Sequence, residues 1–139
     1  MMAAGKKAAV SRIEARLYLS KAEQFIEQAR VAFDAERYDA AQLDAIHAAI
    51  SGADAVTVAL VGRRSTDPDH QRAADLLEEA AASSPEIRER SRQLRALLAR
   101  KNAVEYESRR ASAKEGRDAV ERAGRLVDWA RRIVDRARV

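Results

Sequence analysis

Two arginines and a histidine stand close together in the polar segment "GRRSTDPDH", residues 62 to 70. The imidazole of His70 could move the proton of a ribose 2′-hydroxyl, while the guanidinium of Arg64 stabilises charge on the neighbouring phosphate. The spacing Arg-x-x-x-x-x-His has low specificity in a chain this rich in arginine. The segment is therefore consistent with ribonuclease chemistry, with anion binding, or with a solvated loop.

The same segment contains signals for the start of a helix. Asp67 followed by Pro68 is typical of an N-cap and a first helical position, which predicts a third helix over about 68 to 82. The N-terminus of a helix attracts anions through its free N–H groups and its dipole. Arg63, Arg64 and His70 are therefore candidates for binding the phosphate of a nucleotide or RNA.

His47 and Asp54 lie on one face of the predicted second helix, two turns apart. They could form an acid–base pair or a polar ligand pocket inside a bundle. Their backbones are roughly 10 Å apart at a rise of about 1.5 Å per residue, so a direct hydrogen bond is not expected. The alternative is that each is a boundary residue that pairs with another helix. No metal site is predicted, because His70 is the only other histidine and cysteine is absent.

A basic stripe with a central aromatic residue follows one face of the predicted last helix. Its members are Arg122, Arg125, Trp129, Arg132 and Arg136. Such a stripe can follow a phosphate backbone and stack on a base. Glu121, Asp128 and Asp135 interleave at spacings that form ion pairs, so the alternative is a salt-bridged surface with Trp129 half-buried or in a dimer contact.

The elements that position these residues are helical. Aromatic residues make up 4% of the 139 residues and charged residues 35%, with five glycines and two prolines. Amphipathic stripes of Ala, Leu, Ile and Val predict five helices, and the second runs from about 40 to 61. Ser11, Asp39 and Ser84 mark predicted helix starts, and Ser112 with Glu115 forms a capping box. We expect an all-α, five-helix up-and-down bundle over residues 11–139, preceded by a flexible tail over 1–10, with no strands.

The location of the protein is expected to be cytoplasmic. The N-terminal segment has no apolar core like that of a signal peptide, and no apolar run is interpreted as a membrane span. The net charge is +4, but 26 basic residues face 22 acidic ones, so charge alone is only weak evidence for a nucleic-acid partner. No cofactor is predicted.

The segment "LLARKNAVEY", residues 97 to 106, combines basic, amide and aromatic groups near the end of the fourth helix. Together with "RYDAAQLDAIHAAISGADAV" and "GRRSTDPDHQRAADLL", it makes residues 14 to 137 resemble the HEPN superfamily, the "higher eukaryotes and prokaryotes nucleotide-binding" domains. The resemblance implies a helical bundle, usually a homodimer. Its catalytic members are metal-independent ribonucleases with an Arg-x4–6-His motif, often R-N-x-x-x-H, and others pair with a nucleotidyltransferase in toxin–antitoxin systems.

The motif position starts at Arg100 here and places Glu105 where the histidine would stand, with Asn102 and Tyr106 as polar neighbours. A glutamate is normally ionised at neutral pH and cannot donate a proton to a leaving group. We therefore expect a non-catalytic, dimeric binding module for nucleotide or RNA phosphate, with the basic side chains of the 62–70 segment and Arg100 as the phosphate contacts. A ribonuclease toxin using Arg64 and His70, held in check by a nucleotidyltransferase-type antitoxin, is the first alternative. A purely structural interaction bundle is the second.

Overall fold

The computed structural model describes residues 5–139. Within this part of the chain five α-helices follow in order: α1 Ala15–Asp34, α2 Tyr38–Val61, α3 Gln71–Ala80, α4 Ile87–Tyr106 and α5 Ala113–Ala137. They pack around a single core built mainly from Ala, Leu, Ile and Val. The prediction of an all-α five-helix bundle is confirmed.

The central helix is α2, which contacts each of the other four helices. Its small residues allow this: a Cβ placed on Gly52 would lie 3.0 Å from Leu126 on α5. An amphipathic helix buries a single stripe, but α2 buries residues such as Ala48 and Val58 on more than one side, and Leu60 near its end is 37% exposed. Helices on several sides cover α2, so it is apolar almost all round.

The apolar character of α2 is explained by its central position in the bundle. By length and composition this helix could cross a membrane, with a mean hydropathy of 1.3 over its most apolar window. Of that window, 67% is buried inside the protein. Its apolar surface is therefore used to build the core of the bundle.

A two-stranded antiparallel sheet, β1 Lys7–Ala9 and β2 Arg63–Ser65, joins the N-terminal segment to the chain after α2. Residues 7–9, expected to be part of a flexible tail, are thus paired, and residues 1–4 lie outside the described part. Gly62 ends α2 in the left-handed conformation, as its position predicts, and its carbonyl accepts from Val10 N at 2.8 Å. Strands of three residues are too short to show a period-two pattern, which explains why the sequence did not predict them.

The start of α5 agrees with the sequence prediction, whereas the starts of α3 and α2 differ from it. Ser112 and Glu115 form the predicted capping box of α5. α3 begins at Gln71 rather than at residue 68, because the carboxylate of Asp69 accepts from Gln71 N at 3.0 Å. Asp39 does not cap α2, which starts one residue earlier, and its carboxylate accepts instead from Ala111 N at 2.9 Å.

The basic stripe expected on α5 is interrupted by burial and by ion pairs. Trp129 is 1% exposed, and its indole N–H donates to Ser84 Oγ at 3.3 Å. A residue buried in this way is not available for base stacking or for a dimer contact, so both expectations for Trp129 are wrong. Arg132 pairs with Glu86 at 3.0 Å, and Arg122 pairs with Asp118 at 2.9 Å.

Candidate binding groove

A groove of about 350 Å³ lies between the start of α3 and the last turns of α4. It brings together four of the side chains singled out from the sequence: His70, Asn102, Glu105 and Tyr106. Lys101 also lines it, as do Pro68, Asp69, Gln71 and Leu98. An imidazole, an amide, an ammonium group and a phenol ring therefore share one open surface.

The phenol ring and the imidazole of the groove both face solvent. Tyr106, the last residue of α4, is 76% exposed. His70 occupies the N-cap position of α3, where its carbonyl accepts from Ala73 N at 3.0 Å. Its side chain makes no cap hydrogen bond. These two side chains can therefore reach a ligand without a change in the backbone.

Lys101 and Glu105 are one helical turn apart on α4 and form an ion pair inside the groove. The hydrogen bond from Lys101 is the main cause that holds the pKa of Glu105 below its usual range. Glu105 is therefore ionised at neutral pH, as its residue type predicts. It can accept a hydrogen bond from a ligand but has no proton to donate. Lys101 was not among the residues singled out from the sequence, although its spacing of four residues from Glu105 is a signal for an ion pair on a helix.

His47 stacks against Phe25 with ring centroids 5.5 Å apart. Burial is the main cause that lowers its pKa, and the nearby charge of Lys101 lowers it further. The imidazole is consequently neutral at physiological pH. His47 therefore packs against α1 through Phe25, and it forms no acid–base pair with Asp54.

Asp54 is paired with Arg64. Its carboxylate oxygen Oδ2 lies 3.6 Å from Arg64 Nε, and the Arg64 guanidinium lies 5.5 Å from the ring centroid of Tyr18. Burial raises the pKa of Asp54 to about 6, and the charge of Arg64 opposes that rise. Arg64 is thus held between α1 and α2 and does not line the groove that contains His70.

The phosphate site predicted at residues 62–70 is not assembled. Arg63 lines a different small pocket with Lys7 and Glu79. At the start of α3, Asp69 already accepts from the amide of Gln71 and forms an ion pair with Arg72 at 3.4 Å. The carboxylate of Asp69 offsets part of the attraction of this helix N-terminus for an anion. Arg63, Arg64 and His70 lie in three different places and do not converge on one site.

Arg100 lies on the other side of α4 from the groove. Its Nη2 donates to Asp118 on α5 at 2.8 Å, and it lines a separate cavity beside Gln42. Two positions along a helix correspond to a rotation of about 200°, so Arg100 and Asn102 point in nearly opposite directions. The structure therefore does not bring Arg100 together with His70.

The described residues 5–139 contain no group of three or more His, Cys, Asp or Glu side chains that could hold a metal ion. The side chains that line the groove can form hydrogen bonds, stack on a flat ring and carry charge.

A family model described as the HEPN domain matches residues 15–133, which span all of α1 to α4 and most of α5. The chain belongs to the HEPN domain family. The resemblance stated from the sequence is thereby confirmed. A search of curated protein sequences gives no match to this HEPN chain. In this HEPN domain the motif segment is a continuous helix to Tyr106, with Arg100 on one side and Asn102 on the other.

Proposed function

We propose that this HEPN domain is a binding module that takes up a nucleotide, free or as part of RNA, in the groove between α3 and α4. The observation that supports the proposal is the convergence of an exposed aromatic ring, an amide, an ammonium group and an imidazole in one groove. Nucleotides combine a flat base, hydrogen-bonding edges and an anionic phosphate, and this set of side chains complements each part.

Each side chain has a distinct role in this proposal. The exposed ring of Tyr106 stacks on the base, which is the contact that exposed aromatic residues make with single-stranded nucleic acid. The amide of Asn102 donates to and accepts from the edge of the base. Lys101 and His70 face the phosphate. Because Glu105 offsets the charge of Lys101, we expect modest affinity and a preference for ligands that carry a base over inorganic phosphate alone.

The test is calorimetric titration of the purified chain with the four nucleoside monophosphates and with a short single-stranded RNA. Replacing Tyr106 by Ala should weaken binding by about 5- to 150-fold, since base stacking is typically worth about 1–3 kcal/mol. Arg63→Ala is the matched control, because it removes a positive charge that lies outside the groove. Equal affinity in wild type and Tyr106→Ala would refute the proposal.

A second candidate function is metal-independent ribonuclease activity centred on His70. Its support is the exposed position of that imidazole beside Lys101, which could stabilise charge on a phosphate. Against it, Arg64 and Arg100 pair with carboxylates elsewhere, and Glu105 is ionised. A positioned acid or base is typically worth about 10²- to 10⁴-fold in rate, so we predict little or no cleavage.

The cleavage assay uses purified protein and single-stranded RNA in the presence of chelator, with His70→Ala as the comparison. Robust cleavage that disappears in His70→Ala would contradict the binding-module proposal and favour a toxin controlled by a nucleotidyltransferase-type partner. Glu105→His is the converse variant, because activity gained there would show that the remaining groups of the groove can support catalysis. The third candidate, a purely structural interaction bundle, predicts neither binding nor cleavage.

A further inference from the structure

A second, smaller cavity lies on the opposite side of α4 from the groove, between α4 and the start of α2. It encloses about 40 Å³ of solvent-sized space, and the segment that contains Arg109 and Ala111 forms part of its wall. That segment is fixed by two contacts: Ala111 N donates to Asp39 at 2.9 Å, and Arg109 forms two hydrogen bonds with Glu115, at 3.0 and 2.9 Å. The cavity is therefore a defined compartment and not a gap in a loose loop.

Two residues that line this cavity each have a buried polar atom without a partner. Gln42 is 2% exposed, and its Oε1 accepts no hydrogen bond. Arg100 donates to Asp118 through Nη2, but its Nη1 has no acceptor. Most buried polar groups in native proteins are paired, because a buried group that loses water without gaining a partner is costly. An acceptor and a donor without partners in the chain line one compartment, so a bound group that offers both a donor and an acceptor would complement them.

The chemistry of a group that would complement both atoms follows from Gln42 Oε1 and Arg100 Nη1 and from the charges around them. Arg100 Nη1 requires an acceptor such as a carbonyl oxygen, and Gln42 Oε1 requires an N–H or O–H donor. The ionised side chains of the cavity are Arg100, Arg109, Asp39 and Glu115, so its formal charge is zero. A neutral group is therefore favoured over an ion. A water molecule needs about 10–15 Å³ of such space, so the compartment holds about three waters or a group of a few heavy atoms.

We propose that this cavity is a binding site for a small neutral ligand group in which a carbonyl stands beside an N–H, as in a primary carboxamide or a ureido group. The carbonyl oxygen accepts from Arg100 Nη1, and the N–H donates to Gln42 Oε1. This site is separate from the groove, so its occupation does not depend on nucleotide binding. It also gives Arg100 a role distinct from the phosphate contact expected from the sequence.

The test is NMR titration of the full ¹⁵N-labelled chain with three probes of similar size. Acetamide offers both the carbonyl and the N–H, acetone has the same number of heavy atoms but lacks the N–H, and acetate replaces the N–H with a charge. We expect saturable shifts of the Gln42 side-chain amide and of the neighbouring backbone amides with acetamide. With the other two probes, binding should be absent or at least about tenfold weaker. Because this comparison uses the wild-type chain, its outcome does not depend on the folding of a variant.

A matched pair of variants sharpens the test. Gln42→Met keeps the size of the side chain and removes the acceptor, so it should abolish saturation by acetamide. Gln93→Met is the control, because Gln93 is equally buried and its Oε1 already accepts from Arg90 at 2.8 Å. The proposal is refuted if acetamide causes no saturable shift, if acetone binds equally well, or if Gln42→Met retains the affinity.

Discussion

Asp54 carries a carboxyl group in the core, 6% exposed, with Arg64 Nε at 3.6 Å. The charge of Arg64 replaces only part of the stabilisation by water that a carboxylate loses on burial. The pKa of Asp54 therefore stays raised to about 6 from an ordinary value of 3.8. The folded state therefore holds this proton more tightly than the unfolded chain. The protonated carboxyl group of Asp54 therefore contributes to the free energy of unfolding. This contribution is complete below pH 3.8 and is lost as the pH rises to about 6.

The variant Asp54→Asn should remove this pH dependence. A shift of about two pKa units corresponds to roughly 3 kcal/mol. We expect the free energy of unfolding of wild type, relative to Asp54→Asn, to fall by up to that amount between pH 4 and pH 7. Chemical denaturation of both proteins at each pH measures the difference. A constant difference across this range would contradict the assignment of the raised pKa to Asp54.

The sequence singled out several residues that the fold brings together, but it could not show which of them are in contact. Asp54 and Arg64 were both candidates, yet their contact depends on how the chain turns back after Gly62. His70 and Asn102 come together through the packing of α3 on α4, which no local spacing reveals. The opposite directions of Arg100 and Asn102 would have been predictable once α4 was known to continue to Tyr106.

At the scale of single elements, α5 begins with a cap that the sequence predicts correctly. Ser112 Oγ accepts from Glu115 N at 3.1 Å, and Glu115 accepts in return from Ser112 N at 3.0 Å. The hydrogen bonds from Arg109 and Ser112 lower the pKa of Glu115 to about 2, so its carboxylate stays ionised well into the acid range. The cap fixes the start of the longest helix and the end of the segment beside the small cavity.

Ser112→Ala should lower the free energy of unfolding by about 1 kcal/mol, the usual cost of losing an N-cap side chain. The matched control is Ser11→Ala, because Ser11 precedes the short 3-10 turn Arg12–Glu14 and makes no side-chain cap hydrogen bond. Urea denaturation of the two variants beside wild type tests the difference. An equal loss of unfolding free energy in both variants would show that the hydrogen bond from Glu115 N to Ser112 Oγ does not stabilise the fold.

Helix boundaries were predicted well where one residue type determines them and poorly where several carboxylates compete. Gly62 adopts a φ of 64°, which glycine reaches without strain, and α2 ends there as expected. At α3 both Asp67 and Asp69 accept backbone hydrogen bonds, and the later one sets the first residue of the helix. Burial of Trp129 was missed because the arginines around it produce the pattern of an exposed face.

At the scale of the whole molecule, the amphipathic stripes were sufficient to predict a helical bundle. The match to the HEPN domain model agrees with that prediction. We expect the molecule to form a symmetric homodimer, as the resemblance implies. Leu17 and Val31 on α1 are 63% and 60% exposed, and their burial by a second copy would be favourable. Multi-angle light scattering at high micromolar concentration should give twice the chain mass, and a monomer there would contradict this expectation.

The central claim is that the groove between α3 and α4 binds a nucleotide. NMR mapping with a nucleoside monophosphate tests it most directly, because every amide of the bundle reports at once. We predict that the saturable shifts concentrate at residues 68–71 and 98–106, around His70, Asn102 and Tyr106. Shifts centred on Arg63 and Arg64, or on the arginines of α5, would contradict the claim, as would the absence of any saturable shift.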